Sequence, residues 1–317
     1  MTTRNQFIFI LNYLEPQVTL PIEIVDGYWL KRPDAEQLDI IKDFLRKNVP
    51  ESGMKNYSNI YEQSFNYVQE ETKSELRFTD LTEENQKYFI IENETGSKSN
   101  LEDIVSSCEL SKFSLHIGVK FIFGNSIYQS DHSSIFSFFD QSKFDSYLIG
   151  LQISNAHKIN VDDINEIKEI YKLLASLDTK FSYLKSMIKN YINVQSLPSD
   201  SKFKTLGYFS ILESLITHEP KDSGDSIAKQ LYSKIILINN QLGSPIDFKS
   251  LFKMEIKASI TKLYDYRSSI THGKYDYTIP LELKNDHYVC SSIALIVRRI
   301  IVYTLQNPQL INDLKSC

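Results

Sequence analysis

The chain has 317 residues, 42% of them hydrophobic and 24% charged, with 10 Gly and 9 Pro: a globular composition, long enough for about two domains. A net charge of −5 sets the molecule as a whole against polyanions, so any nucleic-acid binding requires a local basic surface. Cys108, Cys290 and Cys317 lie far apart with no CxxC pair, which argues against a disulfide framework or a zinc-thiolate site and points to a reducing, cytoplasmic setting.

The early apolar run FIFILNYL lacks a basic n-region and a small-residue cleavage site. No window is expected to reach the roughly 18 apolar residues of a membrane span. The segments QFIFILNYL, TLPIEIVDGYWLKR, KYFIIENE, FSLHIGVKFIFGN, SIFSFFD and SYLIGLQIS read as strands bounded by Asn, Asp, Gly or Ser. One helix is expected among them, capped by Asp34 with Gln37 three residues on, and carrying Leu38, Ile41, Phe44 and Leu45 at helical spacing. Residues 1–155 thus read as a β-rich α+β domain, with a boundary in the polar stretch NAHKINVDD, near 155–162.

Beyond the boundary the period changes. Ile164, Ile167, Tyr171, Leu174, Phe181, Leu184 and Ile188 predict one long amphipathic helix, with Asp163 and Glu166 as its capping box. A second helix, from about Lys202 to Thr217, is apolar nearly all round and belongs inside a bundle. A third spans about Ser226 to Ile238, a fourth Phe248 to about His272, and a fifth carries Val289, Ile293, Ile296, Ile300 and Tyr303. Residues 156–317 therefore read as an all-α helical bundle, and the fold class as α+β.

The fourth helix is chemically odd. At about 100° per residue, Phe252, Ile256, Ile260, Leu263 and Ile270 share one stripe, and Arg267 lies on it. A guanidinium there keeps its charge and needs a partner or a wet cleft; a side chain that snorkels to the surface is the bland alternative. Glu213, the only charged residue between Thr205 and Thr217, is a candidate partner, or else faces a gap to solvent. His272 ends the helix before Gly273, as a simple cap or as a second point of a groove. Ideal geometry turns it about 140° from Arg267 and moves it about 7.5 Å along the axis.

The run LYDYRSSITHGK resembles the signature of HEPN domains, in the Apea-like branch, where Arg and His are separated by four to six residues near the end of a bundle helix. FKTLGYFSILESLITHEPKDSGDSIAKQLYSKI resembles the preceding helix pair of that branch. The likeness covers roughly residues 200–275. It implies a metal-independent endoribonuclease without cofactor, in which two bundles pair as a homodimer and line one composite cleft. Carried over, Arg267 would hold the scissile phosphate and His272 would act as general acid or base while the ribose 2′-OH attacks. The resemblance also implies a prokaryotic anti-phage defence or toxin role, with a phage-derived trigger or an antitoxin as regulator and the N-terminal domain sensing or restraining. Ser268 departs from the Asn, Asp or His usual after the motif Arg. It can bond phosphate or orient Arg267 but cannot act as a base. Tyr275 lies three residues after the His, not at the modified position of some family toxins.

From Lys249 to Lys274 the local net charge is +4, and Lys249, Lys253 and Lys257 recur every four residues, a ridge suited to RNA. Lys274 adds to it, and Tyr264, Tyr266 and Tyr275 are candidates for base stacking. There is no GxxxxGK, GxGxxG or HExxH, and His116, His132 and Cys108 lack metal-ligand spacing. The competing reading is a non-catalytic HEPN-type bundle that binds nucleotide, RNA or a protein partner.

Overall fold

The computed structural model describes residues 5–12, 14–48, 65–69, 76–80, 88–93, 100–123, 135–138, 144, 157–198, 201–218, 226–273, 283 and 285–316. The strand expected over SYLIGLQIS and residues Lys274, Tyr275 and His132 lie outside them. The fold is mixed α+β, an antiparallel sheet followed by helices. Contacts divide the chain into two compact units, Met1–Lys172 and Leu173–Cys317.

In the first unit the strands are β1 Asn5–Ile10, β2 Leu14–Pro16, β3 Ile22–Val25, β4 Tyr28–Lys31, β5 Phe65–Gln69, β6 Leu76–Asp80, β7 Ile90–Asn93, β8 Ile117–Phe123, β9 Ile135–Phe138 and β10 His157–Ile159. Six of them form one sheet in the order β3-β4-β7-β1-β8-β9, with every neighbouring pair antiparallel. β5 pairs with β6, and β10 runs parallel to β2. The unbroken apolar run of β1 follows from burial on both faces, since successive side chains alternate sides. Phe7 and Phe9 share a core with Ile90, Val119 and Phe121 and with Ile41, Phe44 and Leu45 of α1 (Ala35–Asn48). Ile8 and Ile10 face the other way, into a core with Leu30, Ile91 and Ile117 and with Ile104 and Cys108 of α2 (Leu101–Leu110).

Asp34 and Gln37 form the reciprocal box expected at the start of α1, each side chain accepting from the other's backbone N–H at 2.9 and 3.0 Å. α2 is a correction, because only one helix was expected here. Asn100 caps it by accepting from the Glu102 N–H, and its few apolar positions were too short a signal to separate from a strand. The first unit also runs past the composition change at 155–162. Ile159 of β10, with Ile164 and Ile167 of α3 (Val161–Ala175), is buried in its second core. The capping box of α3 is Asn160 with Asp163, not Asp163 with Glu166. Asn160 accepts from the N–H groups of Asp162 and Asp163, Asp163 accepts from that of Asn160, and Glu166 instead accepts from the Lys112 N–H.

The second unit holds α4 Tyr183–Gln195, α5 Lys202–Ile216, α6 Ile227–Gln241, α7 Phe248–Phe252, α8 Ile256–Thr271, α9 Asp286–Gln306 and α10 Pro308–Ser316. α5 touches α4, α6, α8, α9 and α10, which explains why it is apolar nearly all round. The single long helix predicted from Asp162 is two. Asp178 accepts from the Lys180 N–H and caps a 3-10 turn, Thr179–Phe181, that separates α3 from α4. The predicted fourth helix is also two, because Lys253 takes the left-handed conformation (φ 55°) and ends α7. α9 is long and apolar enough to cross a membrane by length and composition, contrary to the expectation from the sequence. Packing inside the unit accounts for that character, since 67% of its apolar window is buried.

Candidate functional site

α8 buries Ser259, Ile260, Leu263 and Tyr266, whereas Ile256, Arg267 and Ile270 are half-buried. Arg267 therefore stands at the border of the buried face. Its Nη2 donates to Oε2 of Glu213 on α5 at 3.3 Å, with the two side chains 29% and 18% exposed. The guanidinium also lies 5.7 Å from the Tyr264 ring centroid, one turn back, and Tyr264 meets Phe209 of α5 edge-on at 6.3 Å.

The pair is incomplete. Arg267 Nε and Glu213 Oε1 are both enclosed and have no hydrogen-bond partner among the described residues. Burial, the dominant influence, raises the Glu213 pKa above the ordinary carboxylate value, while the charge and hydrogen bond of Arg267 pull it down. A single long prong does not recover what removal from water costs the carboxylate.

His272 caps the C-terminus of α8 and is exposed. Its N–H reaches the Ser268 carbonyl at 3.0 Å, and the next residue, Gly273, has φ 62°, a conformation that L side chains rarely adopt. Ser268 is half-buried on the same last turn. The structure thus brings together Arg267 and Glu213, the pair suspected from the sequence, sets Tyr264 beside Arg267, and leaves His272 at a separate point along the helix.

The basic ridge is not a continuous row. Lys249 pairs with Glu255 at 3.4 Å, Lys253 occupies the break between α7 and α8, and Lys257 lies 5.2 Å over the Tyr232 ring. The four-residue spacing assumed one helix, and the left-handed residue ends that assumption. Lys274 lies outside the described residues. Tyr266 is not available for base stacking: it is buried, and its hydroxyl donates to Asp286 of α9.

The sequence reading missed Lys234 on α6, a buried lysine whose Nζ lies 3.4 Å from His218 Nδ1. Gln230, one turn earlier, bonds both the N–H and the carbonyl of His218. The available signal was a lysine among Leu231, Ile235 and Ile238 at core spacing. In the first unit, Glu109 lies buried against His116 at 3.2 Å. Cys108 is fully enclosed, with its thiol pKa pushed up by burial. Among the described residues, no group of three His, Cys, Asp or Glu is placed to hold a metal ion.

The arrangement is a guanidinium and a carboxylate joined by one hydrogen bond at the border of the buried face, with Arg267 Nε and Glu213 Oε1 shut away from solvent. The chain matches no family model, no curated protein and no solved structure.

Proposed function

We propose that the second unit is an HEPN-type, metal-independent endoribonuclease that acts as a homodimer. The observation that carries this reading is the placing of Arg267. It is a half-buried guanidinium on a bundle helix, held by one prong to Glu213, with exposed His272 five residues on at the helix end. Its planar fork suits a phosphodiester whose charge grows as the 2′-OH attacks. Imidazole chemistry near neutral pH suits proton transfer to the leaving 5′-oxygen. One Arg and one His make half a cleft, and a second copy supplies the other half. Exposed Lys253 and Lys257 add positive charge near the start of α8, and Tyr264 adds an aromatic face. In this reading the first unit senses a trigger or restrains the nuclease, in a cytoplasmic anti-phage or toxin role argued by analogy.

One observation favours the alternative of a non-catalytic bundle that binds nucleotide, RNA or protein: Arg267 already spends one prong on Glu213. Expression in a bacterial host separates the two. The nuclease reading expects growth arrest with RNA fragments ending in 2′,3′-cyclic phosphate, relieved by Arg267→Ala or His272→Ala. Harmless expression with intact tRNA, ribosomal and messenger RNA, together with a monomer in solution, overturns it.

A further inference from the structure

We infer that the corner where α4 meets the start of α5 is the strand-binding surface of the second unit, and that it takes single-stranded RNA with a base stacked on Phe203. The inference deepens the reading above and rests on its RNA partner, whether or not the strand is then cut.

The charge balance points to a polyanion. The chain carries −5 overall, yet from Lys180 to Leu212 five lysines stand against one acid, Asp200. α4 contains Lys185 and Lys189 and no acidic residue, and α5 contains none before Glu213. Lys185 and Lys189 are exposed and lie one helical turn apart. The lysine row expected over 248–272 is interrupted at Lys253, and its Lys249 is paired with Glu255, whereas α4 runs unbroken from Tyr183 to Gln195. A basic surface on an acidic protein selects a polyanion locally.

The aromatic group narrows the choice. Phe203 is 74% exposed, the most exposed large apolar side chain among the described residues. Lys202 and Lys204 flank it in sequence. Lys204 Nζ donates to the carbonyls of Gln195 and Leu197 at 2.8 and 2.9 Å, which fixes its charge at the corner. A bare ring among ammonium groups suits a single strand, whose bases stack on the ring while lysines attract the phosphates. A bilayer needs more apolar area. α4 and α5 turn Leu184, Ile188, Tyr208 and Leu212 inward, and the exposed large apolar side chains of the corner are Phe203 and Leu197.

The same face of α5 leads to the Arg267 site. Phe203, Leu206, Ser210 and Glu213 are exposed or half-buried and fall on one side of the helix by their spacing. The rise of a helix puts Phe203 about 15 Å along the axis from Glu213, which holds Arg267. A strand stacked at about 3.4 Å per nucleotide covers that distance in about four nucleotides. One short strand therefore reaches both Phe203 and the exposed part of Arg267.

The test uses the full-length protein and a fluorescent 2′-O-methyl oligouridylate of about twelve nucleotides, which 2′ attack cannot cleave. In anisotropy titrations Phe203→Ala should weaken Kd about 5- to 100-fold, the range of one base–aromatic stack, and Phe203→Trp should keep it near wild type. Lys185→Gln with Lys189→Gln should flatten the slope of log K against log salt by about 1.4, twice the single-strand value for one phosphate. All three side chains are exposed, so the variants should keep the wild-type unfolding midpoint. Wild-type binding that these substitutions change by less than about twofold overturns the surface and leaves the nuclease reading standing. So does a wild type that ignores the oligonucleotide but sediments with phosphatidylserine vesicles through Phe203. Binding of the probe through Phe203 by a wild type that degrades no RNA overturns the nuclease reading and supports the surface.

Discussion

Replacing Gly207 with alanine inside α5 sets two opposed effects against each other, and their sizes follow from the geometry. Alanine is favoured over glycine in a helix interior by about 1 kcal/mol. The added Cβ, however, would sit 2.6 Å from Val194 Cγ2 and 3.1 Å from Val194 Cγ1, on the neighbouring helix α4. Non-bonded carbons rest at about 3.5–4.0 Å, so the overlap approaches an ångström. Valine in a helix holds one side-chain rotamer about 90% of the time and has little freedom to turn away. Overpacking of this kind costs about 1–3 kcal/mol. The net expectation for Gly207→Ala is therefore a loss of about 1 kcal/mol. In a Val194→Ala background the obstructing methyls are gone, and the same substitution should instead gain about 1 kcal/mol. Urea unfolding midpoints of wild type, the two single variants and the double variant measure the coupling, expected near 2 kcal/mol. A Gly207→Ala protein more stable than wild type while Val194 is present would refute the close-approach argument.

The pH dependence of stability has a definite sign at Glu213. Its folded pKa lies above the unfolded value, so the native state retains a proton that the unfolded chain has already released. That contribution is fully present below the unfolded pKa and is lost as pH rises through the folded one. Glu213→Gln should remove the decline, so its stability relative to wild type should improve as pH rises from the unfolded carboxylate pKa through the higher folded one in urea titrations. The opposite trend would mean that the ion pair with Arg267 outweighs burial. Cys108 and Cys290 are both buried, with thiol pKa values raised chiefly by burial. In the folded protein neither should react with iodoacetamide at neutral pH, and mass spectrometry should find both modified after unfolding.

Much of the architecture is written in local patterns. The strand character of β1, the Asp34/Gln37 box and the all-round apolarity of α5 each follow from side-chain chemistry and one backbone period. The same holds for suspecting Arg267 and Glu213: a charge on an apolar stripe and a charge in an apolar helix each demand a partner. The segment TLPIEIVDGYWLKR, read as one strand, is instead two, β3 and β4, joined at Asp26-Gly27, where Gly27 takes φ 77°. The tertiary structure decided whatever depends on residues distant in the chain or on a single dihedral angle. It broke the helix at Lys253, and with it the lysine row, because one left-handed residue redirects everything after it. It moved Arg267 from the middle of a stripe to the border of the buried face, and turned Tyr266 from a stacking candidate into a core residue bonded to Asp286. It also showed the Glu213–Arg267 pair to be half-made, with Oε1 and Nε enclosed and, among the described residues, unpartnered. Periodicity tells which side chains share a face of one helix. How far apart two helices settle, and so whether a pair closes with two bonds or with one, depends on the packing of all their neighbours at once.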